Sequence, residues 1–438
     1  MNWEQLLSAK RLSSSTRPED IRSQFQRDYD RIIFSSPFRR LQNKTQVFPL
    51  PGSVFVHNRL THSLEVASLG RSIANLVARE LQKRDDIGNK EILHELGSIV
   101  SAACLAHDLG NPPFGHSGEK AISNYFTEGN GRVFETSLKP EQWSDLIAFE
   151  GNANAFRILT HQFNGRRKGG FALTYATLAA MVKYPYPSSA NEKPNKYGFF
   201  HSETSTWESI ANECGIPKID YVKAAYARHP LVYLVEAADD ISYLIMDIED
   251  AHKLRILNTD ETEALLLSFF DPLLNKKNIE YKEKIYHEVS DINERIAFLR
   301  ATVINLLVQQ VSSIFLHNYS AVMEGSFESS LVKQLDGHYK AALKKCKDVS
   351  VNRIYKHPSV IKIELTGYNV LGMLMDEFAK AILEPEKSYN QKLLSLLPLQ
   401  FNTESNELYH KLQSVVDFIS GMTDLYAMQL YRDLKGIL

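Results

Sequence analysis

Apolar residues recur every three or four positions along most of this chain, and that rhythm commits it to helices. In RLTHSLEVASLGRSIANLVAREL, residues 59–81, the residues Leu60, Leu64, Ala67, Ile73, Leu76, Val77 and Leu81 fall on one stripe, which predicts a helix with a single buried face. KEILHELGSIVSAACLAHDLG, residues 90–110, carries a second stripe through Val100, Ala103, Cys104 and His107. His107 therefore points inward, and Gly110 ahead of Asn-Pro-Pro stops the helix. A third helix, HPLVYLVEAADDISYLIMDIEDAHKL over 229–254, opens with proline in its first turn and sets its acids among apolar neighbours. Alternating strand patterns are scarce, internal repeats are absent, and helices with short breaks continue beyond residue 255. The expected fold is mostly α. KYPYPSSANEKPNKYG, residues 183–198, is dense in Pro, Ser and Asn and reads as a surface loop or lid.

Composition narrows the classes. A chain of 438 residues that is 44% hydrophobic and 23% charged can bury the core of one large or several ordinary domains. Its 50 basic and 52 acidic residues leave a net charge of -2, so no global field points to nucleic acid. Cys104, Cys214 and Cys346 lie far apart, which suggests neither a disulfide framework nor a zinc ribbon, and makes a reducing cytoplasm the expected location. The N-terminus has no leader pattern and no apolar run approaches bilayer length, so no membrane association is expected.

The chemistry concentrates where the second helix ends. His107 and Asp108 place an imidazole beside a carboxylate, a pair that binds a divalent cation if other helices add ligands. His62, three residues from Arg59 on the first helix, and an acid from the Asp239-Asp240 doublet on the third complete an N2O2 set. Such a set suits Mn, Fe, Zn, Ni or Mg. The doublet is costly among apolar neighbours unless a metal or basic side chains neutralise it, and a salt-bridge cluster is the competing explanation. His116 and Glu119 stand one helical turn apart, so the carboxylate can orient the imidazole and raise its basicity. No Walker A loop is present.

Six segments carry a family likeness: SSPFRRLQNKTQVFP (35–49), NRLTHSLEVA (58–67), HDLGNPPFGHSGE (107–119), FEGNANAFRIL (149–159), RHPLVYLVEAADDISYLIMDIEDA (228–251) and, more weakly, NRIYKHPSVIKIELTGYNVLGML (352–374). Through them the chain resembles the HD-domain deoxynucleoside triphosphate triphosphohydrolases, in particular the bacterial dGTP triphosphohydrolases. The resemblance implies an HD-domain helical core over residues 1–255 and an additional C-terminal helical region over 256–438 that contributes to the substrate pocket and to oligomer contacts. It implies one divalent metal ion held by His62, His107, Asp108 and Asp239, the family pattern choosing Asp239 over Asp240. It further implies that Tyr243 packs on the deoxyribose, that Asp247 and Gln46 bind the 3'-hydroxyl, that Arg59 contacts the triphosphate, and that His116 with Glu119 serves in catalysis.

The implied reaction is hydrolysis of a dNTP, dGTP first, to deoxynucleoside and inorganic triphosphate by water attack at the α-phosphorus. The metal polarises the phosphoryl oxygen and acidifies water, and Arg59 counters developing charge. His116 is placed to protonate the departing 5'-oxygen, although a role as base is equally open. Lys183 and Lys196 reach the triphosphate if the 183–198 loop closes, and Tyr355 approaches the base. His57, His94, His161, His201 and His252 read as structural. Two other functions compete. One is a different HD phosphohydrolase acting on cyclic dinucleotides or guanosine tetraphosphate, which the GYN at 367–369 supports poorly. The other is a homo-oligomeric sensor that binds a regulatory nucleotide or single-stranded DNA.

Overall fold

The computed structural model describes residues 1–13, 21–49, 56–190, 196–270, 276–401 and 405–437. The fold is mostly α. The helices that position the site are α1 (Arg59–Leu81), α2 (Leu96–Ala106), α3 (His116–Thr127), α4 (Pro140–Ile147), α5 (Gly151–Thr160), α6 (Val232–Lys253), α7 (Ile292–His317), α8 (Pro358–Leu383), α9 (Leu408–Ser420) and α10 (Asp424–Lys435). Among the described residues a single sheet occurs, an antiparallel hairpin of β1 (Lys218–Asp220) and β2 (Ala225–Tyr226) that pairs Lys218 with Tyr226.

The α1 stripe is rolled relative to the expectation. Leu64 is 38% exposed, while His62, Ser63, Val66, Ala67 and Gly70 face the core. Gly70 sets this roll, because a Cβ there would stand 2.6 Å from the Cys104 sulfur of α2. The two helices therefore approach closely on the small-residue side. Nearly every residue of α2 is buried, as expected of an all-round apolar helix at the centre of a bundle. It runs only to Ala106, so His107, Asp108 and Gly110 occupy the turn that follows. Gly110 admits no side chain, since its Cβ would lie 2.1 Å from the Gly151 carbonyl oxygen at the start of α5.

Among the described residues, two apolar clusters build the core. One runs through α1, α2, α6 and α7, the other through α3, α8, α9 and α10. Contrary to the reading that no segment approaches bilayer length, α7 is long and apolar enough to cross a membrane by length and composition. Its Val303, Leu307, Val311 and Phe315 are instead buried in the core, where α7 packs on α1 and α6.

The 183–198 segment also differs from a surface loop. Residues 191–195 lie outside the described residues, but Pro185, Pro187, Ala190 and Tyr197 are buried. Ser188 donates a 2.6 Å hydrogen bond to the buried Asp145 carboxylate of α4, and the Tyr197 hydroxyl donates to the Asp145 carbonyl at 3.3 Å. Aromatic rings and prolines supply apolar area that a solvated loop lacks, so the described residues of the segment form a wall.

Candidate active site

Local sequence aims the first metal-ligating candidate. Asn58 caps α1 with a reciprocal capping box, its side chain accepting from the Thr61 amide at 2.9 Å while the Thr61 hydroxyl accepts from the Asn58 amide at 3.1 Å. This fixes the first turn, which carries Arg59 and His62. His62 Nε2 lies 3.1 Å from an Asp239 oxygen. His107 donates from Nδ1 to the Cys104 carbonyl at 2.6 Å, which turns Nε2 toward the same carboxylate, 3.5 Å away. Among the described residues, one group of His, Cys, Asp and Glu side chains converges closely enough for a metal. It comprises His62, His107 and Asp239, with ligand atoms within 4.8 Å of one another.

Asp108 borders this group. One of its oxygens is 3.6 Å from His107 Nε2 and also accepts from the Asn111 amide, and the other accepts from Arg59 Nη1 at 2.8 Å. Asp240 does not join them, facing instead the side of the cavity that holds Lys183 and Glu236.

The electrostatics fit a cation. Burial disfavours a charged His107, yet the Asp108 and Asp239 carboxylates override it and its pKa is pushed up to about 9. Burial likewise opposes the charge on Asp239, but the two imidazoles hold it well below the usual carboxylate range. His107 Nε2 is buried without a well-aligned hydrogen-bond partner. An orphaned imidazole nitrogen, a second imidazole and the Asp239 carboxylate, with Asp108 beside them, form a donor set that could hold a divalent metal ion.

His116 opens α3 beside this centre. Its Nδ1 is 2.8 Å from Glu119 Oε2, and the ring is 75% exposed to the cavity while Glu119 is buried. The second Glu119 oxygen accepts from the Gly151 amide at 2.8 Å, so the carboxylate is held at both ends. Burial opposes the Glu119 charge, but His116 and Lys196 hold its pKa below the ordinary value. Arg59 is buried rather than displayed on a helix surface, and its Nε lacks a partner. Lys183 pairs with Glu236 at 3.1 Å and Lys196 with Glu150 at 2.9 Å, both on the cavity wall.

Two confluent cavities result. One of about 330 Å³ is lined by His62, His107, Asp108, Asp239 and Arg59, and one of about 1120 Å³ by Phe149, Tyr355, Ile363 and the polar face of α3. Gln46, His116, Glu119, Lys196 and Tyr243 border both. Tyr243 and Asp247 follow Asp239 on one face of α6 at helical spacing. Tyr355, reached through a π-helical turn at Ser350–Ile354, donates to Asp247 Oδ2 at 2.7 Å, and its ring centroid is 6.2 Å from that of Tyr243. Burial pushes the Asp247 pKa up to about 8 despite that hydrogen bond. The Gln46 side-chain oxygen is buried and unpartnered.

His94, His161, His201 and His252 line neither cavity. His57 bridges Asp250 at 2.9 Å and Glu65 at 3.0 Å, and these carboxylates overcome its burial to push its pKa up to about 10.

Sequence reasoning missed the supports. Lys44 is buried, with Nζ donating to the Ser420 carbonyl at 2.9 Å and to the Asn111 carbonyl, and burial pulls its pKa down to about 7. Arg157 forks onto Asp417 with two bonds of 2.8 Å and reaches Glu203 at 2.6 Å. The signal available was the KTQVF and FEGNANAFRIL strings themselves, which hold more residues than the site chemistry needs.

Comparison with known proteins gives the family. Residues 59–168 match the HD domain and residues 334–433 the phosphohydrolase-associated domain. A deoxyguanosinetriphosphate triphosphohydrolase-like protein of Synechocystis is 40% identical, with 100% of both chains covered. A protein of the same description from Pseudomonas aeruginosa is 38% identical over 100% of this chain and 99% of its own. The chain belongs to the HD-domain deoxynucleoside triphosphate triphosphohydrolase family. It is accordingly a hydrolase. A more distant member, the deoxyguanosinetriphosphate triphosphohydrolase of Yersinia pseudotuberculosis, is 31% identical over 97% of this chain and 96% of its own. The family match over 59–168 includes α1, the His107–Asp108 turn and His116, whereas Asp239 joins them only through the packing of α6.

Proposed function

We propose that this protein hydrolyses deoxynucleoside triphosphates, dGTP among them, to deoxynucleoside and inorganic triphosphate, using one divalent ion held by His62, His107, Asp108 and Asp239. The observation that carries the reading is the placement of the exposed His116 ring, backed by Glu119, on the rim shared by the metal cradle and a cavity roomy enough for a nucleoside. The ion supplies Lewis-acid polarisation at the α-phosphorus when bound; Mn, Mg, Ni, Fe and Zn all accept this donor set.

The protein's own groups perform the rest. Arg59, aligned by Asp108, faces the triphosphate with a guanidinium that counters the charge developing on phosphoryl oxygens. Lys183 and Lys196 add positive charge to the same cavity. Water adds its oxygen to the α-phosphorus and loses a proton to solvent, the bond from phosphorus to the 5'-oxygen breaks, and His116 delivers a proton to that oxygen and is reprotonated from solvent. Glu119 holds the imidazole in the required orientation. Tyr243 closes the space beside C2' and rejects a ribose, while Asp247 and Gln46 bind the 3'-hydroxyl, whose loss leaves buried polar atoms unpaired. Residues 1–255 form the phosphohydrolase core in this reading, and residues 256–438 complete the cavity through Tyr355 and α8. The setting is cytoplasmic, in keeping with three buried free thiols.

The test is incubation with Mn or Mg and each of the four dNTPs or GTP, with products separated by ion exchange. Triphosphate and deoxynucleoside from dNTPs, with GTP spared, is the expected result. Release of pyrophosphate or single phosphates overturns the α-phosphorus mechanism.

A further inference from the structure

The turn that delivers His116 is strained and is held from the far end of the chain. Phe114 has φ of 62°, a left-handed conformation that is an outlier for a bulky side chain, and Gly115 follows at φ 59°. Such a conformation persists only where the surroundings over-determine it. Three contacts do so here. The buried Asp424, first residue of α10, accepts from the Phe114 amide at 3.0 Å through one oxygen. Its other oxygen accepts from the Thr45 amide at 2.9 Å, next to Gln46. Gly367 of α8, the glycine of the GYN string, lets α8 press on Phe114, for a Cβ there would stand 2.8 Å from Phe114 Cβ. On the opposite side a Cβ at Gly115 would meet Arg59 Nη2 at 2.7 Å, so the turn is confined between α8 and the metal-side arginine.

We infer that Asp424 and Gly367 are positioning residues for the reaction proposed above: from the C-terminal region they hold the Phe114–Gly115 turn in register, and Asp424 locks it to the Thr45–Gln46 segment. The inference rests on that functional reading for its kinetic consequences and on geometry alone for the clamp. Neither residue reaches the reacting atoms. Their effect travels through the aim of His116, while the cradle of His62, His107 and Asp239 stands on α1, the turn that follows α2, and α6, and is left in place.

The experiment uses the full-length protein with Asp424→Asn, Gly367→Ala and, as a control on the exposed face of the same helix, Asp433→Asn. Gly367→Ala keeps both Asp424 hydrogen bonds and disturbs the turn by contact, so the two variants probe one function by different means. Hydrogen exchange of the metal-free protein is expected to quicken at the amides of residues 114–116 in both variants and over 44–48 in Asp424→Asn, with the control unchanged. For dNTP turnover, kcat is expected to fall about 10–100-fold in each, a loss typical of a misplaced catalytic group, with Mn binding by titration as in the parent. In a His116→Ala background the same changes are expected to cost less than about threefold, because their target is gone. If Asp424→Asn fails to fold, Asp424→Ser, which keeps one acceptor, takes its place. Parent-like exchange, parent-like kcat, or losses fully additive with His116→Ala would overturn the inference. Absence of dNTP turnover in the parent protein removes the functional reading instead, and the exchange comparison still decides the clamp.

Discussion

His116 and Glu119 show how much a single hydrogen bond organises. The carboxylate touches the imidazole at 2.8 Å and the α5 amide at 2.8 Å, so the ring is aimed before substrate arrives. His116→Ala is expected to lower kcat by about 10²–10⁴-fold, the usual worth of a general acid or base, without weakening Mn binding measured by titration. Parent-like turnover would remove His116 from the chemistry. Tyr243 makes a different wager. Trimming it to Ala opens space beside the sugar, and the preference for dGTP over GTP, measured as a ratio of kcat/KM, is expected to drop at least about tenfold. An unchanged ratio would assign ribose rejection elsewhere.

At the scale of elements, the first turn of α1 joins stability to function. The Asn58 capping box satisfies amides that a helix N-terminus leaves open, in the turn that bears Arg59 and His62. Asn58→Ala is expected to cost about 1 kcal/mol in urea unfolding and to weaken Mn binding, because the frayed turn carries a ligand. Loss of stability with intact Mn affinity would separate the two roles. The α2–α5 contact is less forgiving. Gly110→Ala places a methyl group 2.1 Å from the Gly151 carbonyl oxygen, a backbone atom that cannot rotate away. Thermal melts are expected to show a loss of about 1–3 kcal/mol or more.

The whole molecule is held together by buried charge as well as by its apolar clusters. Arg157 is enclosed with Asp417 and Glu203, and Arg157→Leu strips the buried Asp417 carboxylate of its cation and leaves Glu203 with Ser202 and His161 alone, an expected loss of about 3–5 kcal/mol in denaturant titration. Stability should also fall on the alkaline side. Burial raises the pKa of Asp145 to about 7 and of Asp247 to about 8, so the folded state keeps protons that the unfolded chain has released, and stability declines as pH climbs from about 4 through 8. His57, raised to about 10 by Asp250 and Glu65 against its burial, stabilises fully below its unfolded pKa, and that contribution is lost as pH rises through 10. All three act in one direction, and together they outweigh the buried Lys44, whose pKa of about 7 works the opposite way above that pH. With chelator present, the Tm at pH 9 is expected to lie several degrees below that at pH 6, and a Tm that holds or rises contradicts these protonation states.

By itself the sequence determined the helices and the chemical inventory. A three-to-four apolar period is a local property, so α1 and α6 are legible from spacing, and the His107–Asp108 and His116–Glu119 pairs are neighbours along the chain. Spacing alone left open which acid of the 239–240 doublet meets the histidines, because adjacent residues on a helix differ by about 100° in direction and packing sets the roll; the family pattern singled out Asp239, and the packing of α6 places that residue beside them. Only the tertiary structure decided the placement of Leu64, the burial of Pro185, Pro187, Ala190 and Tyr197, and the reach of Asp424 and Lys44 from opposite ends of the chain to the same turn. Those contacts join backbone amides and carbonyls, which every residue carries, and so no side-chain pattern announces them.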